Sequence, residues 1–236
     1  IYFGFIFIFL VIIKFTNPPI IKKLSFINHD FYQKMFNRGE VKSVTIVDID
    51  EKSLAKIGQF PWRRDVYSKI LDNLNQYNPS VIAFDIVFSE EDKQNPKDLL
   101  LQLQKESDKF LDIKVTNTNQ VFIDSLKRSK VVLPVIGEPN DNFIENNSEP
   151  KLRLMVKGDN PKNFIYKYKN KITSLENLNS AAKGIGSISL LPNIDGIIRN
   201  VPILYNIDNK IWPSLALEAV RVATGQKNLL VQRYLK

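Results

Sequence analysis

Three aspartates and one arginine carry most of the chemistry this chain could do. Asp48 and Asp50 end the β-branched run Val44-Thr45-Ile46-Val47-Asp48-Ile49-Asp50, and Asp85 interrupts the apolar run Val81-Ile82-Ala83-Phe84-Asp85-Ile86-Val87-Phe88. Between them lies Gly58-Gln59-Phe60-Pro61-Trp62-Arg63-Arg64, a turn that brings an indole and two guanidinium groups. A carboxylate at a strand end meets water or a partner, whereas the same group buried unpaired in mid-sheet would cost several kcal/mol or take up a proton. If the two runs are parallel neighbours, Asp48, Asp50 and Asp85 share the carboxyl edge where open α/β sheets bind ligands. Clustered carboxylates without His or Cys suit a hard cation, calcium or magnesium, through oxygen ligands. Arg64 could instead grip one of these acids in a bidentate pair and hold the turn in place; this structural pairing is the preferred reading. Trp62 reads as an anchor beneath the turn ahead of a ring stacked on a ligand. Farther on, Asp195-Gly196 with Arg199 four residues later reads first as turn chemistry and second as a share in a ligand site.

The composition removes other chemistries. With no cysteine there is no disulfide, no thiol nucleophile and no Cys–zinc site. The single histidine, His29, would have to carry any metal cluster or Ser–His–Asp triad alone, and it sits beside Asp30 on a helical pattern as a surface residue. The net charge of +8 comes from lysines scattered singly rather than lined along one helix face, so nucleic acid is not expected as a partner.

The elements that must position these residues follow from periodicity. The residues between 41 and 49 read as a strand, and Ser53 to Gly58 as a short helical turn. Asp65 then opens a helix with Val66, Tyr67, Ile70, Leu71, Leu74 and Tyr77 on its apolar side, and Val81 to Phe88 reads as a strand covered on both faces. Strand, helix and strand make a βαβ unit. Helices are expected from Asp98 to Leu111 and from Asn119 to Ser129, followed by a strand from Lys130 to Ile136 and a long exposed excursion from Gly137 to Pro150. The last third turns to strands at Ile185–Leu190 and Ile197–Tyr205, a hairpin turn at Ile207-Asp208-Asn209-Lys210, and a helix between Pro213 and Gly225. The fold class expected is α/β, a mixed central sheet with helices on both faces.

The chain start is a different material. Residues 1–13 (IYFGFIFIFLVII) carry no charge, and six of the first fifteen residues are aromatic. Thirteen helical residues span about 20 Å against the roughly 30 Å of a bilayer core, so the segment is expected to be the outer end of a spanning helix that starts upstream. Ile20, Leu24, Ile27, Phe31 and Met35 then fall on one helical stripe. That stripe reads either as a helix lying on the domain or as a signalling stalk or dimer seam; Gly39 stops it. The organisation expected is a truncated transmembrane helix over 1–16, a juxtamembrane amphipathic helix over 17–39, a sensory domain over 40–228 and a connector toward a further span over 229–236.

Val47-Asp48-Ile49-Asp50-Glu51-Lys52-Ser53-Leu54, Gly58, Pro61-Trp62-Arg63-Arg64 and Phe84-Asp85-Ile86-Val87-Phe88-Ser89-Glu90 together resemble the CHASE sensory domain of the second type. Asp195-Gly196-Ile197-Ile198-Arg199 and Trp212-Pro213-Ser214-Leu215-Ala216 resemble its C-terminal blocks, in order, and the likeness covers roughly residues 20 to 225. The family usually has Trp where this chain has Phe60, and a small residue or proline where it has Arg63, so the matching positions are Pro61, Trp62 and Arg64. The resemblance implies an extracytoplasmic sensor of a bacterial receptor, held in the cytoplasmic membrane and facing the periplasm or exterior. A homodimer, an unidentified small-molecule or ionic signal, no cofactor beyond a bound calcium or magnesium ion, and no catalysis in this fragment are expected alongside it. The output module of the full-length protein would be a nucleotide cyclase or a protein kinase, such as a histidine kinase.

Two alternatives stand beside this. One is an ectodomain that only dimerises and takes no ligand. The other is a phosphatase: an apolar strand ending Asp48-x-Asp50 is similar to the haloacid-dehalogenase-like enzymes, whose first Asp attacks phosphate while the second does acid–base work. Lys52 stands where those enzymes want Thr or Val.

Overall fold

The computed structural model describes residues 2, 4, 11–12, 15–16, 18–36, 39, 43–107, 113–140 and 147–232. The chain divides into two compact units, Ile1–Ser53 and Leu54–Lys236.

In the first unit, α1 (Pro19–Met35) starts on a proline, whose missing N–H would have no partner in a first turn, and carries Lys34 in its last turn. The expected stripe is present, and the helix buries none of its residues. No helix among the described residues is long and apolar enough to cross a membrane. Most of residues 1–13, on which the expectation of a spanning helix rests, lie outside the described residues. The first expected strand is corrected: residues 44–50 form none, and Val44, Ile46 and Val47 are exposed. An alternating pattern becomes a strand only where a neighbour completes its hydrogen-bond ladder. Instead, Asp50 starts α2 (Glu51–Ile57), its Oδ1 accepting the Ser53 N–H at 2.9 Å and the Ser53 hydroxyl at 2.7 Å.

The second unit is built on β2 (Val131–Glu138), buried on both faces through Val135. Val131 and Val132 pair in parallel with β1 (Ile82–Ala83). Val132 to Val135 pair in parallel with β6 (Gly184–Ser187), and Val135 to Glu138 pair antiparallel with β5 (Asn170–Thr173). Because β6 overlaps both other pairings, β1 and β5 must share the opposite edge of β2, end to end. The sheet is mixed, as expected. A second sheet joins β4 (Lys167–Tyr168), β7 (Leu204–Ile207) and β8 (Lys210–Pro213); a third pairs β3 (Arg153–Lys157) in parallel with β9 (Asn228–Gln232). The β7–β8 hairpin turns at Asp208 and Asn209, both at φ just above +50°, as a two-residue primed turn requires.

Helices α3 (Arg64–Asn75) and α5 (Thr118–Arg128) pack together, α6 (Glu176–Ala181) packs on α5, and α7 (Leu215–Ala223) packs on β6 and β2. The parallel crossover therefore sits one step later than expected, running from β1 through α4 (Pro96–Ser107) and α5 to β2. The run Val81–Phe88 is also corrected. Only Ile82–Ala83 is strand, Phe84 and Phe88 point inward, and Ala83 and Asp85 are exposed, the one-sided pattern of a segment on a sheet edge. Ile197–Ile203 likewise forms no strand, the pairing beginning at Leu204.

Candidate functional site

The Trp–Arg turn follows directly from α2. Gly58, at φ +110°, closes that helix with its N–H on the Leu54 carbonyl, and its own carbonyl accepts the Trp62 indole N–H at 2.7 Å. Trp62 is 7% exposed, and its ring centroid lies 6.4 Å from that of Tyr67. Tyr67 in turn meets the rings of Phe84, Phe88 and Phe122 at centroid distances of 6.5, 5.0 and 5.9 Å. Trp62 is thus the rim of an aromatic core, and burial pushes the Tyr67 hydroxyl above its ordinary range.

The two arginines part company at the start of α3. Arg63 stays outside and forms a bidentate pair with Asp65, at 2.6 and 2.8 Å. Arg64, the first helical residue, turns inward and is 7% exposed. Its Nη2 donates to the Glu90 carbonyl at 2.7 Å, its guanidinium carbon lies 4.4 Å from the Phe88 ring centroid, and its Nε is buried without a partner. Burial lowers the guanidinium's pKa and the nearby Asp92 charge partly restores it; arginine remains charged throughout.

The loop after Phe88 holds three helix starts. Asp92 Oδ2 accepts the Arg64 backbone N–H at 2.9 Å and the Thr118 hydroxyl at 2.6 Å, the first residues of α3 and α5. Asn95 Oδ1 accepts the Thr118 N–H at 3.1 Å, while the Asn95 carbonyl takes the Asp98 and Leu99 N–H groups of α4. Both residues are buried. The Asp92 carboxylate satisfies one backbone donor that has no intrahelical acceptor, the Arg64 N–H, and meets the positive ends of two dipoles. The same loop is tied to the central sheet, because Phe88 N–H donates to Ser174 Oγ at 3.0 Å and Leu175 N–H to the Phe88 carbonyl at 2.9 Å.

The residues singled out in the sequence are therefore dispersed in role. Trp62 and Arg64 belong to this buried assembly. Asp85 is exposed just past β1, and the Arg64 guanidinium is engaged by Glu90 and Phe88 rather than by it. Asp48 is exposed; Asp50 caps α2, and its hydrogen bonds from Ser53 hold its carboxyl below the ordinary value. Asp195 and Arg199 form a bidentate pair at 3.0 and 2.8 Å across a turn in which Gly196 takes φ +78°. Among the described residues no group of three His, Asp or Glu side chains is placed to hold a metal ion. A shallow depression of about 480 Å³ is lined by Glu91, Leu175, Glu176, Asn177 and Ser180, none of them foreseen.

Sequence reasoning also missed Asp92, Asn95 and Thr118, whose signal was the capping residue types immediately before two helical patterns. It missed Glu218 as well. That side chain is fully buried in α7, where it takes the Arg221 guanidinium at 2.8 and 2.7 Å and the Ile185 N–H at 3.3 Å. The opposing strand carries Gly184, where an added Cβ would lie 2.5 Å from Glu218 Oε1; a glycine facing an acid is visible only once strand and helix are paired.

Comparison with curated proteins and with solved structures gives no match. The family model of the CHASE2 domain matches residues 5–234. The order of the Trp–Arg turn, the β1 run and the Asp195–Arg199 loop along a mixed α/β fold agrees with that match, and the chain belongs to the CHASE2 family of extracellular sensory domains.

Proposed function

We propose that this chain is the extracytoplasmic sensor of a bacterial transmembrane receptor, whose cytoplasmic output module is a nucleotide cyclase or a protein kinase. The observation that carries the proposal is the family match over nearly the whole chain. The uncharged stretch over residues 1–13 supports attachment to the cytoplasmic membrane. The geometry adds a means of transmission. One loop, residues 88–95, holds the starts of α3, α4 and α5 and is bonded to the segment that follows β5. A ligand that binds one arrangement of that loop better than another would move three helices together, and such differential binding is what a sensor requires. Asp85, exposed three residues before that loop, is the proposed point of contact for a cationic or hydrogen-bond-donating signal, calcium and magnesium included, and Asp48, exposed in the other unit, is proposed as a separate one.

The experiment is a thermal-shift series on the 236-residue chain against calcium, magnesium, amino acids, small carboxylates and polyamines. A ligand that binds only the native form raises the midpoint by an amount set by its concentration over Kd. A concentration-dependent shift that is lost in Asp48→Asn or Asp85→Asn supports the reading. Unchanged shift and unchanged signalling in both variants would remove those residues from it. A fragment that turns over phosphate esters with magnesium, and stops doing so as Asp48→Asn, would be a phosphatase instead.

A further inference from the structure

We infer that the depression between the 88–95 loop and α6 binds an alkylammonium ion, a protonated aliphatic amine that carries no carboxylate. The inference deepens the sensor reading and rests on it for the consequence of binding, not for the geometry. The depression measures about 480 Å³, the size of a small-molecule site, and is lined by Glu91, Leu175, Glu176, Asn177 and Ser180. In a chain with 33 Lys and Arg, two acids share it, and among the described residues neither has a cationic partner at ion-pair distance. Glu90, one residue away, does have one in Lys93 at 2.7 Å. Glu91 Oε2 instead accepts Asn119 Nδ2 at 2.8 Å, in the first turn of α5. Asn119 is 9% exposed, and its Oδ1 is buried with no hydrogen-bond partner. The tip of that amide therefore backs the Glu91 wall of the depression with an unsatisfied acceptor, which is uncommon in a folded protein.

The groups gathered here are acceptors, two carboxylates and an amide oxygen, and they select a ligand of positive charge rich in N–H donors. A metal ion fits poorly: calcium takes roughly six to eight oxygen ligands, and among the described residues no three acids converge. An amino acid fits poorly as well, because its own carboxylate would face Glu91 and Glu176. Leu175 offers apolar surface to the methylene stem of an amine. Cations of the chain are committed elsewhere. The Arg64 charge reaches Glu91, but that guanidinium is held by the Glu90 carbonyl and the Phe88 ring, and Lys151 Nζ donates to the Ser180 and Ala182 carbonyls. Binding at this place has a lever. Glu91 precedes Asp92, which holds the starts of α3 and α5, and Glu176 opens α6 directly after Leu175, whose N–H is on the Phe88 carbonyl. An ammonium shared by the two glutamates ties the loop to α6.

The test titrates the 236-residue chain with 1,4-diaminobutane and compares its unfolding midpoint with that in 1,4-butanediol and in magnesium chloride at matched ionic strength. A saturating rise with the diamine alone is expected. Glu91 and Glu176 are exposed, so their replacement by the isosteric amide leaves the fold intact. Glu91→Gln and Glu176→Gln should each weaken the apparent Kd by about tenfold, the loss of one charge-assisted contact, and the double variant should abolish the shift. Asp85→Asn should leave it in place. No shift with the diamine, an equal shift with magnesium chloride, or a shift that survives in the double variant would overturn the site. Failure of the diamine beside a magnesium shift that is lost in Asp85→Asn would remove this site and leave the sensor reading standing. A diamine shift lost in the double variant, in a full-length protein whose output ignores the diamine, would keep the site and count against the sensor reading.

Discussion

The Asp92 carboxylate accepts the backbone N–H of Arg64 at 2.9 Å, while the charged end of that arginine lies on the Phe88 ring and the Glu90 carbonyl. The acid is thus spent on a helix start and the cation on an aromatic face. Burial disfavours the charged guanidinium, whose Nε has no partner, and the nearby Asp92 charge restores only part of that cost.

Replacing Asp92 by alanine removes the acceptor of the Arg64 N–H at the start of α3 and of the Thr118 hydroxyl at the start of α5. A lost N-cap costs about 1 kcal/mol, and the buried Thr118 hydroxyl loses its partner as well, so Asp92→Ala should destabilise the domain by about 2–4 kcal/mol. Asp92→Asn keeps one acceptor oxygen and should cost less. Urea unfolding monitored by circular dichroism separates the two; equal stability of Asp92→Ala and the unsubstituted protein would show the caps to be redundant.

Much of this architecture was legible in the sequence, and the failures share a cause. The hairpin at Asp208-Asn209, the helix between Pro213 and Gly225, and the buried strand leading to Ile136 were visible because each is specified by residues adjacent in the chain. The strand expected over 41–49 has the right residue types, yet a strand needs a partner ladder that no local pattern supplies. Strands β3, β4, β5 and β9 were missed for the converse reason: they are two to five residues long, too short to show a period, and pairing alone defines them. At the site, Trp62 and Arg64 were identified from their types, while the carboxylate that meets Arg64 was misplaced. Asp92 lies 28 residues on, in a loop with no periodicity.

The buried pair of Glu218 and Arg221 predicts a different signature. Glu218 is fully buried and Arg221 nearly so, and removing one member of such a pair leaves the other charge uncompensated at about 3–5 kcal/mol. Glu218→Ala should therefore be among the most destabilising substitutions in α7. Gly184→Ala should cost about 1–3 kcal/mol by forcing its Cβ against the same carboxylate. In Glu218→Ala that clash is gone, so the two losses should not add. A double-mutant cycle read by chemical unfolding measures the coupling, and strictly additive effects would count against the contact.

The Asp195–Arg199 loop should loosen in acid. The Arg199 hydrogen bonds, and then the Ile197 N–H, hold the Asp195 carboxyl below its ordinary value of 3.8. A depressed carboxyl contributes stability that is present above the unfolded value and is lost as pH falls through the folded one. The loop should accordingly be intact at neutral pH and lose this support only below pH 3.8. Carboxyl carbon NMR of Asp195 reads the step directly; in Arg199→Ala the midpoint should move up toward the ordinary value. An unchanged midpoint would mean the pair is not formed in solution.

At the alkaline end the expected reporter is Tyr205. Its ring is fully buried in the core formed with Val135, Ile185, Ile207 and Trp212, and its hydroxyl donates to the Ser189 carbonyl at 2.6 Å. Burial, and secondarily the neighbouring Tyr168, push the phenol from 10 up to about 12. Ionisation is therefore easier in the unfolded chain than in the folded one. This contribution to stability is complete below pH 10 and is lost as pH rises toward 12. Phenolate absorbance should show a late step for Tyr205, together with the loss of near-ultraviolet circular dichroism from the buried Trp212. Tyr205→Phe should remove that late step and leave the Ser189 carbonyl short of a donor, at a cost of about 1 kcal/mol at neutral pH. If Tyr205 instead ionised near pH 10 with the fold intact, water would have reached a core that the packing of Trp212 and Ile207 is meant to keep dry.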